Sequence, residues 1–288
     1  MVIQSYAKVN LILEVLNKRP DNYHNINTLL ERISLGDKII IKNRRDNLIK
    51  ITCNHPGVPV DASNFCFRAA KLLRDKFRIA KGLDIKIIKR IPVGAGLGGG
   101  SSNAASVFLA LNKFWKLNLP KGRLAKLAAE IGSDVPFFIY AAPFAQAQGR
   151  GEKIRVLAKL HKVRLWHILV VPKIHVSTPQ IYKEWDDFCG LTKPARDVKI
   201  LTSALVKKNP FLNPGLLFNS LERVTLSLYP EVGRIKEKLA ALGLKNILMS
   251  GSGPAVFALV SSAKAAVTLI KRVKREKRSW FVVAARTV

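Results

Sequence analysis

Residues 92–105 read Pro-Val-Gly-Ala-Gly-Leu-Gly-Gly-Gly-Ser-Ser-Asn-Ala-Ala, and this stretch decides both the fold and the kind of ligand to expect. An alternating pattern over Leu83–Ile91 predicts a strand before it, and a helix is predicted to start at Ser101 or Ser102. Glycine backbones let phosphate oxygens approach closely, and a helix N-terminus offers free N–H groups and the positive end of its dipole. Strand, glycine loop and helix together predict an anion cradle. Its glycines are Gly94, Gly96, Gly98, Gly99 and Gly100.

Three other phosphate-binding loops are excluded by what the sequence lacks. A dinucleotide-binding fold requires an acidic residue about 20 positions beyond its glycines, but no Asp or Glu lies between Gly100 and Ala129. The Gly-Lys-Ser/Thr ending of a Walker loop and the His-Arg-Asp and Asp-Phe-Gly motifs of protein kinases are missing from the sequence. A plain turn remains as the alternative, but three consecutive glycines cost backbone entropy that an ordinary turn does not require.

Composition indicates a folded chain with an unusually strong positive charge. The 288 residues are 48% hydrophobic, and 49 Lys and Arg against 19 Asp and Glu give a net charge of +30. Such a charge attracts anions, including nucleotides and nucleic acid. The densest basic run covers residues 271–278, which we interpret as a solvated helix surface, with a nucleic-acid or membrane patch as the alternative. We expect no specific nucleic-acid partner, because no RNA-binding aromatic motif or zinc finger accompanies the run.

The sequence also predicts where the chain resides. No apolar run approaches the roughly 18 residues needed to span a bilayer, and the first ten residues lack the apolar stretch of a signal peptide. We therefore expect a cytoplasmic protein without membrane contact. The three cysteines are scattered and form no Cys-x-x-Cys pair, which argues against a disulfide framework or a zinc site.

Hydrophobic periodicity predicts an α+β protein of two layered domains. Polar and basic residues interrupt the apolar pattern near 150–162, so we divide the chain into an N-terminal domain, 1–155, and a C-terminal domain, 156–288. Predicted strands cover 6–15, 37–42, 48–52, 83–91, 166–171, 246–249, 255–260 and 280–285. The strand at 6–15 alternates between apolar and polar residues and is expected to be half-buried, and the strands at 37–42 and 48–52 are expected to pair with each other. Predicted helices cover 64–77, the segment after the glycine loop, 121–131, 230–242 and 263–278, and residues 186–214 are interpreted as loop with a short helix.

The glycine loop resembles the Pro-x-x-x-Gly-Leu-Gly-Ser/Gly-Ser-Ser signature of the GHMP kinases, a superfamily named for galactokinase, homoserine kinase, mevalonate kinase and phosphomevalonate kinase. Other blocks extend the resemblance over nearly the whole chain. They are Ala7-Lys8-Val9-Asn10-Leu11, Asp21-Asn22-Tyr23-His24, Gly132-Ser133-Asp134-Val135-Pro136-Phe137-Phe138 and a second glycine-rich turn, Ser250-Gly251-Ser252-Gly253-Pro254.

This resemblance implies a fold and a reaction. The fold is the two-domain GHMP-kinase fold, with a ribosomal-S5-like N-terminal nucleotide domain and a ferredoxin-like C-terminal domain, whose last strand can return to the first domain. The reaction is ATP-dependent phosphorylation of a small-molecule alcohol. Within the superfamily, Lys8, Asn10, Tyr23 and His24 resemble members that phosphorylate the tertiary 2-hydroxyl of a methylerythritol unit carrying cytidine diphosphate, in the non-mevalonate route to isoprenoid precursors.

The resemblance assigns the catalytic pair to Asp134 and Lys8. Asp134 is implied to be the general base that takes the proton of the acceptor hydroxyl, work that a carboxylate within hydrogen-bond reach can do. Its alternative is a helix N-cap before Val135-Pro136. Lys8 is implied to contact Asp134 and keep it ionised, and Asn10 lies on the same strand face and is implied to orient the acceptor. Their alternative is a solvent-facing edge strand.

The nucleotide is implied to be held by the loop glycines together with Asn64, Lys89, Ser101 and Ser102. Asn64 and Lys89 match positions that contact adenine and its sugar-phosphate, with a helix cap and a surface lysine as the alternatives. The two serine hydroxyls can meet phosphate or Mg²⁺. We expect the cofactors to be ATP and a Mg²⁺ ion carried on the nucleotide, with no dedicated metal cage in the protein.

The acceptor is implied to be bound through its cytidine end. Tyr23 can stack on the base and His24 can hydrogen-bond its edge, with a satisfied surface histidine as the alternative. Thr178, Pro179 and Tyr182 resemble a second wall of the same pocket, with Tyr182 as a further stacking ring. Asn22 replaces the usual glycine before Tyr-His, and Asn tolerates positive φ better than most residues.

Two other functions stay open on the sequence alone. One is a sister GHMP-type kinase acting on homoserine or mevalonate, which the Tyr23-His24 pair disfavours because those acceptors carry no nucleobase. The other is a basic nucleic-acid-binding protein that reuses this fold, or a kinase that has lost activity. The presence of both Lys8 and Asp134 disfavours the inactive kinase. We expect the chain to be a monomer or a weak homodimer.

Overall fold

The computed structural model describes residues 1–189, 197–207 and 214–288. Their contacts group them into two compact units, each built from segments that are separate in the sequence. Unit 1 comprises Met1–Ala7, Leu35–Val93 and Gly98–Ala141, and unit 2 comprises Lys8–Ser34, Gly94–Leu97 and Ala142–Val288. The predicted division into 1–155 and 156–288 concerns folding domains and stays a prediction.

Unit 1 contains a helix-connected sheet. Strand β4 (Gly82–Ile88) pairs in parallel with β3 (Ile49–Cys53) and antiparallel with the second half of β2 (His24–Arg44). Our interpretation of 37–42 and 48–52 as a strand pair is wrong, because β4 lies between the two strands. Parallel strands require a crossover connection, and α1 (Phe65–Lys76) supplies it between β3 and β4.

Unit 1 also contains helices on both sides of the glycine loop in the sequence. They are α1, α2 (Gly99–Phe114), α3 (Lys121–Ala128) and α4 (Val135–Tyr140). Helix α2 packs on α1 and α4, and its Val107 and Phe108 side chains are fully buried. The predicted start at Ser101 or Ser102 is wrong: Gly98 is the N-cap residue, with φ 67°, and Gly99 is already helical.

Unit 2 contains most of β1 (Val2–Lys18) and the first half of β2, which is much longer than predicted. Here β2 pairs antiparallel with β5 (Phe144–Gly149), β5 pairs with β6 (Lys153–Val156), and β1 pairs in parallel with the short β8 (Phe218–Asn219). These short strands carry few apolar residues, so periodicity did not reveal them.

A second sheet in unit 2 has the strand order β11-β7-β10-β9, with all neighbours antiparallel. Helices α7, α8 and α9 pack on it or on one another, and its strands contribute buried residues such as Ile168, Val170, Val256 and Ala258. The last predicted strand is confirmed as β11, which pairs along its whole length with β7. The remaining elements are β7 (Trp166–Val171), β9 (Ile247–Met249), β10 (Val256–Val260), β11 (Phe281–Arg286), α5 (Thr178–Cys189), α6 (Val198–Val206), α7 (Glu222–Leu228), α8 (Pro230–Ala241) and α9 (Ala263–Glu276).

Two surface features bear on partners. In α9 the basic side chains at 271, 272, 274 and 275 are exposed, while Val273 is fully buried, so the basic run is the outer face of an amphipathic helix. Within the part of the chain that the structure describes, none of the helices combines the length and apolar character needed to cross a membrane. The interpretation of 186–214 as loop with a short helix is wrong at its start, because α5 extends to Cys189, while α6 supplies a short helix. Residues 190–196 and 208–213 lie outside the described residues.

Candidate active site

The glycine loop follows β4 and runs into α2 with alternating backbone conformations. Gly94, Gly96 and Gly98 have φ values of 67°, 74° and 67°, while Ala95 and Leu97 between them are buried. Only glycine adopts left-handed φ without strain, which explains the glycines at 94, 96 and 98. The buried side chains of Ala95 and Leu97 anchor the loop, and the glycine positions next to them have no side chain to block a ligand. This is the geometry that a phosphate-approaching backbone requires.

Within unit 2, the second glycine-rich turn lies directly against this loop. The amide of Ala255 donates to the Ala95 carbonyl at 3.2 Å, and the Ser250 hydroxyl donates to the Gly96 carbonyl at 3.1 Å. A Cβ atom built on Gly96 would lie 2.1 Å from the Ser250 carbonyl oxygen. Asn219, which the sequence analysis missed, holds the turn by donating to the carbonyls of Met249 and Gly251. The turn therefore braces the loop.

Lys8 and Asn10 are buried. The predicted strand at 6–15 is therefore confirmed as part of β1, but its expected half-burial is wrong, and the solvent-facing alternative for this pair is excluded. The side chains of residues 7–15 are buried on both faces of β1. The Lys8 ammonium donates to Asn10 Oδ1 at 2.8 Å and to the Gly96 carbonyl at 3.0 Å. Asn10 donates onward to Thr28 Oγ1 at 2.9 Å, and Thr28 donates to the Ile12 carbonyl. The positive charge of Lys8 on β1 is thus hydrogen-bonded directly to the glycine loop.

Asp134 lies at the N-cap position of α4 in unit 1 and is partly buried. Within the described chain its side chain makes no capping hydrogen bond to the helix, although Asp usually accepts one at this position. Helix α4 is nonetheless well anchored, because Val135, Phe137 and Ile139 are buried. The capping alternative is therefore not supported, and the carboxylate is positioned by the rigid start of a packed helix.

The Tyr23-His24 pair follows a tight turn between β1 and β2. Asn22 adopts φ 62°, as its tolerance of positive φ predicted, and the Asp21 carboxylate accepts from the Tyr23 amide at 3.2 Å. The Arg19 guanidinium, hydrogen-bonded to Asp21, holds the pKa of that carboxyl below its ordinary value. Tyr23 is exposed, and the Arg150 guanidinium lies 4.9 Å from its ring centroid. One face of an exposed aromatic ring is thus covered by a cation.

His24 is the centre of a compact cluster in unit 2. Its ring stacks on Tyr182 at 5.0 Å between centroids and meets Trp185 edge-on at 5.8 Å. Its Nε2 hydrogen-bonds Asp186 Oδ1 at 2.6 Å, and Lys18 pairs with the other oxygen of Asp186 at 2.8 Å. Burial opposes ionisation of Asp186, but the hydrogen bonds from Lys18 and His24 hold its pKa below its ordinary value. His24 is therefore a buried, hydrogen-bonded ring and not the surface histidine of the alternative interpretation.

Helix α5 brings the predicted second wall into this cluster. Its first residue, Thr178, hydrogen-bonds the Ser252 hydroxyl of the second glycine turn at 2.7 Å, and Pro179 is exposed. Tyr182 lies one turn further along α5, on His24. That Thr178, Pro179 and Tyr182 bind the acceptor stays a prediction. Trp185 and Asp186, which also contact His24, were not among the predicted site residues, although their spacing of three and four from Tyr182 indicates a shared helix face.

The other residues predicted to bind the nucleotide lie in unit 1, where three of them, Asn64, Lys89 and Ser102, make hydrogen bonds or an ion pair. Asn64 caps α1, accepting from the Cys66 amide at 2.8 Å. Lys89 pairs with the fully buried Asp37 at 2.6 Å. Ser102 is buried and donates to the Tyr6 carbonyl, so Ser101 is the more accessible hydroxyl in the first turn of α2. Among the described residues no cluster of three or more His, Cys, Asp or Glu side chains has a metal-binding arrangement.

Comparison with known families identifies the class of protein. Residues 64–142 match the GHMP kinases N terminal domain, and residues 203–278 match the GHMP kinases C terminal domain. The chain belongs to the GHMP kinase family, and it has that family's two-domain α+β fold. The expectations of fold class and of phosphotransferase activity are thereby confirmed.

Two of the similar proteins in the family have the same name. "4-Diphosphocytidyl-2-C-methyl-D-erythritol kinase" of Bacillus velezensis is 44% identical over 88% of this chain and 86% of its own. The protein of that name from Geobacter sulfurreducens is 39% identical over 100% of this chain and 99% of its own. A crystal structure of 4-(cytidine 5'-diphospho)-2C-methyl-D-erythritol kinase superposes with a TM-score of 0.80 at 32% identity, covering 99% of both chains. A mevalonate kinase structure, at 17% identity and TM-score 0.70, shares the fold.

Proposed function

We propose that this protein transfers the γ-phosphoryl group of ATP to the 2-hydroxyl of 4-(cytidine 5'-diphospho)-2-C-methyl-D-erythritol. A phosphate cradle is common to GHMP kinases and does not select the acceptor. The observation that carries the choice of acceptor is the fixed aromatic cluster of His24, Tyr182 and Trp185, because a nucleobase needs stacking rings and a positioned hydrogen-bonding edge. The relatives named 4-diphosphocytidyl-2-C-methyl-D-erythritol kinase support the same acceptor.

In the proposed reaction, Asp134 accepts the proton of the 2-hydroxyl as its oxygen forms a bond to the γ-phosphorus. The bond from that phosphorus to the β,γ-bridging oxygen breaks, and ADP leaves. Lys8, held by Asn10 and the Gly96 carbonyl, supplies positive charge at the loop. Because phosphoryl transfer needs little covalent help, positioning and electrostatic stabilisation provide most of the rate.

The proposed nucleotide site is the loop of left-handed glycines and the first turn of α2. Backbone N–H groups at the start of α2 and the helix dipole favour the phosphates. Ser101 is the hydroxyl best placed to meet a phosphate or its metal, since Ser102 is hydrogen-bonded to Tyr6. A Mg²⁺ ion carried on the nucleotide would be met by the Ser101 hydroxyl and would supply positive charge that offsets the charge developing during transfer.

Asp186→Asn is expected to raise the KM for the cytidylylated acceptor about tenfold, with kcat and the KM for ATP changed less than about twofold. Asp186 fixes the imidazole of His24 through Nε2, and an amide there no longer provides a charged acceptor for both His24 and Lys18. Steady-state kinetics with each substrate varied in turn measures the effect. Asp187→Asn, which changes an exposed neighbour on α5, is the control and should leave all three parameters unchanged. Equal KM values for the acceptor in both variants would show that the contact of Asp186 with His24 does not contribute to acceptor binding.

We further propose that the protein works in the cytoplasm, as a monomer or weak homodimer, without a specific nucleic-acid partner. RNA binding in that case is only the non-specific attraction of a +30 chain for phosphates. Its affinity should fall steeply with salt and be undetectable at about 0.15 M, as measured by fluorescence anisotropy of a labelled RNA. Binding that persists at that salt concentration would restore the nucleic-acid alternative.

The proposed acceptor is tested by following ADP release from Mg-ATP with purified protein. The cytidylylated methylerythritol should support turnover, while homoserine and mevalonate should leave release at the acceptor-free level. Release with mevalonate or homoserine alone would establish a sister kinase. No release with any acceptor, from protein shown to be folded by circular dichroism, would refute the kinase proposal for these acceptors.

A further inference from the structure

Asp37 is a fully buried carboxylate at the junction between β4 and the glycine loop, and no role in the proposed reaction uses it. It lies on β2, and its exposed fraction is 0%. A buried charge is costly unless it is paired and hydrogen-bonded. Its retention in the core of unit 1 therefore calls for partners strong enough to offset the loss of water.

Those partners all belong to the three residues that leave β4. Asp37 Oδ1 accepts from the Arg90 amide at 2.7 Å and from the Ile91 amide at 2.8 Å. Asp37 Oδ2 accepts from the Lys89 ammonium at 2.6 Å. One carboxylate thus fixes both the backbone that leads into the loop and the side chain of a lysine that is itself buried.

The Lys89 ammonium lies against the start of α2. A Cβ atom built on Gly99 would be 2.8 Å from Lys89 Nζ, so only the absence of a side chain at Gly99 leaves room for the cation. A positive charge at a helix N-terminus is unfavourable, because it opposes the positive end of the dipole. Asp37 compensates that charge from one side, and an anion at the first turn of α2 would compensate it from the other.

We infer that Asp37 is a positioning residue, which holds the Lys89 ammonium and the Arg90-Ile91 backbone beneath the first turn of α2 so that the site for the nucleotide phosphates is formed before ATP arrives. The inference rests on the proposed use of ATP, but not on the identity of the acceptor. Asp37 acts through Lys89 and does not touch the nucleotide. Preorganisation of this kind lowers the cost of binding, since fewer groups must be ordered when the ligand enters.

The test is ATP binding to the full chain without any acceptor, measured by isothermal titration calorimetry, so that a wrong acceptor would leave it intact. Asp37→Asn keeps an oxygen for the two backbone amides but turns a donor toward Lys89, which displaces the ammonium. We expect the Kd for Mg-ATP to rise about tenfold. In kinetics, the KM for ATP should rise by a similar factor, while kcat and the acceptor KM stay within about twofold.

Asp84→Asn is the matched control. Asp84 lies on the neighbouring strand β4 and pairs with Arg44 at 2.8 Å, but its side chain is 45% exposed. Removing an exposed pair changes little, so ATP affinity should stay at the level of the unmodified protein. A positioning role through Lys89 also predicts that Asp37→Asn has no further effect on ATP affinity once Lys89→Met is present.

Two results would overturn the inference. One is an unchanged Kd for ATP in folded Asp37→Asn protein. The other is an equal effect of Asp37→Asn in the presence and absence of Lys89→Met, because Asp37 would then act on the fold and not through the lysine. If Asp37→Asn alone does not fold, the double variant with Lys89→Met removes both charges together, and ATP affinity matching Lys89→Met alone supports the inference while a further loss contradicts it.

Discussion

Asp134→Asn is expected to lower kcat by about 10²- to 10⁴-fold, while the Kd for Mg-ATP changes less than about threefold. The amide keeps the size of the side chain but cannot take a proton from the acceptor hydroxyl. Within the described chain, the Asp134 side chain makes no capping hydrogen bond to α4, which is the contact that the helix-cap alternative requires. Single-turnover kinetics, with the enzyme in excess over the acceptor and ATP saturating, measures the chemical step directly.

A surface carboxylate provides the comparison for this variant. Asp75→Asn changes an exposed carboxylate that pairs with Lys71 one helical turn away, and kcat should stay unchanged. The helix-cap alternative makes a different prediction: Asp134→Asn preserves turnover and stability, because Asn caps helices as well as Asp, while Asp134→Ala lowers the free energy of unfolding by about 1 kcal/mol. Full turnover in Asp134→Asn would eliminate this residue as the base.

Gly96→Ala is expected to abolish measurable kinase activity and to lower the free energy of unfolding by more than about 2 kcal/mol. The new Cβ atom would lie 2.1 Å from the Ser250 carbonyl oxygen, which is backbone and cannot swing away. The φ of 74° at this position is also strained for any residue with a side chain. Either the loop leaves the second glycine turn or the turn moves, and both break the contact of Lys8 with the Gly96 carbonyl.

Gly122→Ala is the matched change at a glycine without this constraint. Gly122 lies in α3, and a Cβ atom there meets nothing within 4 Å. Because alanine favours helix over glycine by about 0.5–1 kcal/mol, this variant should be slightly more stable and fully active. Chemical denaturation and the ADP-release assay on both variants make the comparison. Unchanged activity in Gly96→Ala would show that the observed loop conformation is not the working one.

The glycine loop was the most predictable part of the site, because its requirements are local. Five glycines in seven residues have few explanations, and Gly98 at the N-cap position moved the start of α2 by only a few residues from the prediction. The bracing of Gly96 by Ser250 could not be predicted, since it joins residues 154 positions apart. Periodicity carries no information about such long-range contacts.

Strand β1 shows where pattern reasoning failed for a physical reason. Lys8 and Asn10 alternate with apolar residues, and this pattern predicted that one face of the strand is exposed to solvent, because charged residues are seldom fully buried. Both side chains are buried, and their hydrogen bonds to one another, to Gly96 and to Thr28 replace water. A polar face that is buried and fully paired belongs to a site, and sequence alone cannot distinguish it from a solvated one.

The cluster around His24 was predicted in part. Resemblance indicates His24 and Tyr182, but hydrophobic periodicity did not predict α5, so Asp186 falls at the start of the segment interpreted as loop with a short helix. Asp37 was missed for a related reason: a lone acidic residue in a predicted strand gives no sign of three hydrogen-bond partners more than 50 positions away. Positioning residues of this kind become visible only with the tertiary structure.

The most direct measurement is the structure of the product formed from ATP and 4-(cytidine 5'-diphospho)-2-C-methyl-D-erythritol. Proton-decoupled ³¹P and ¹³C NMR spectra of the reaction mixture should show one new phosphomonoester whose phosphorus couples to the quaternary carbon C2, with one ADP formed for each acceptor consumed. A phosphate on any other hydroxyl, or an acceptor recovered unchanged after incubation with folded protein and Mg-ATP, would contradict the proposed reaction.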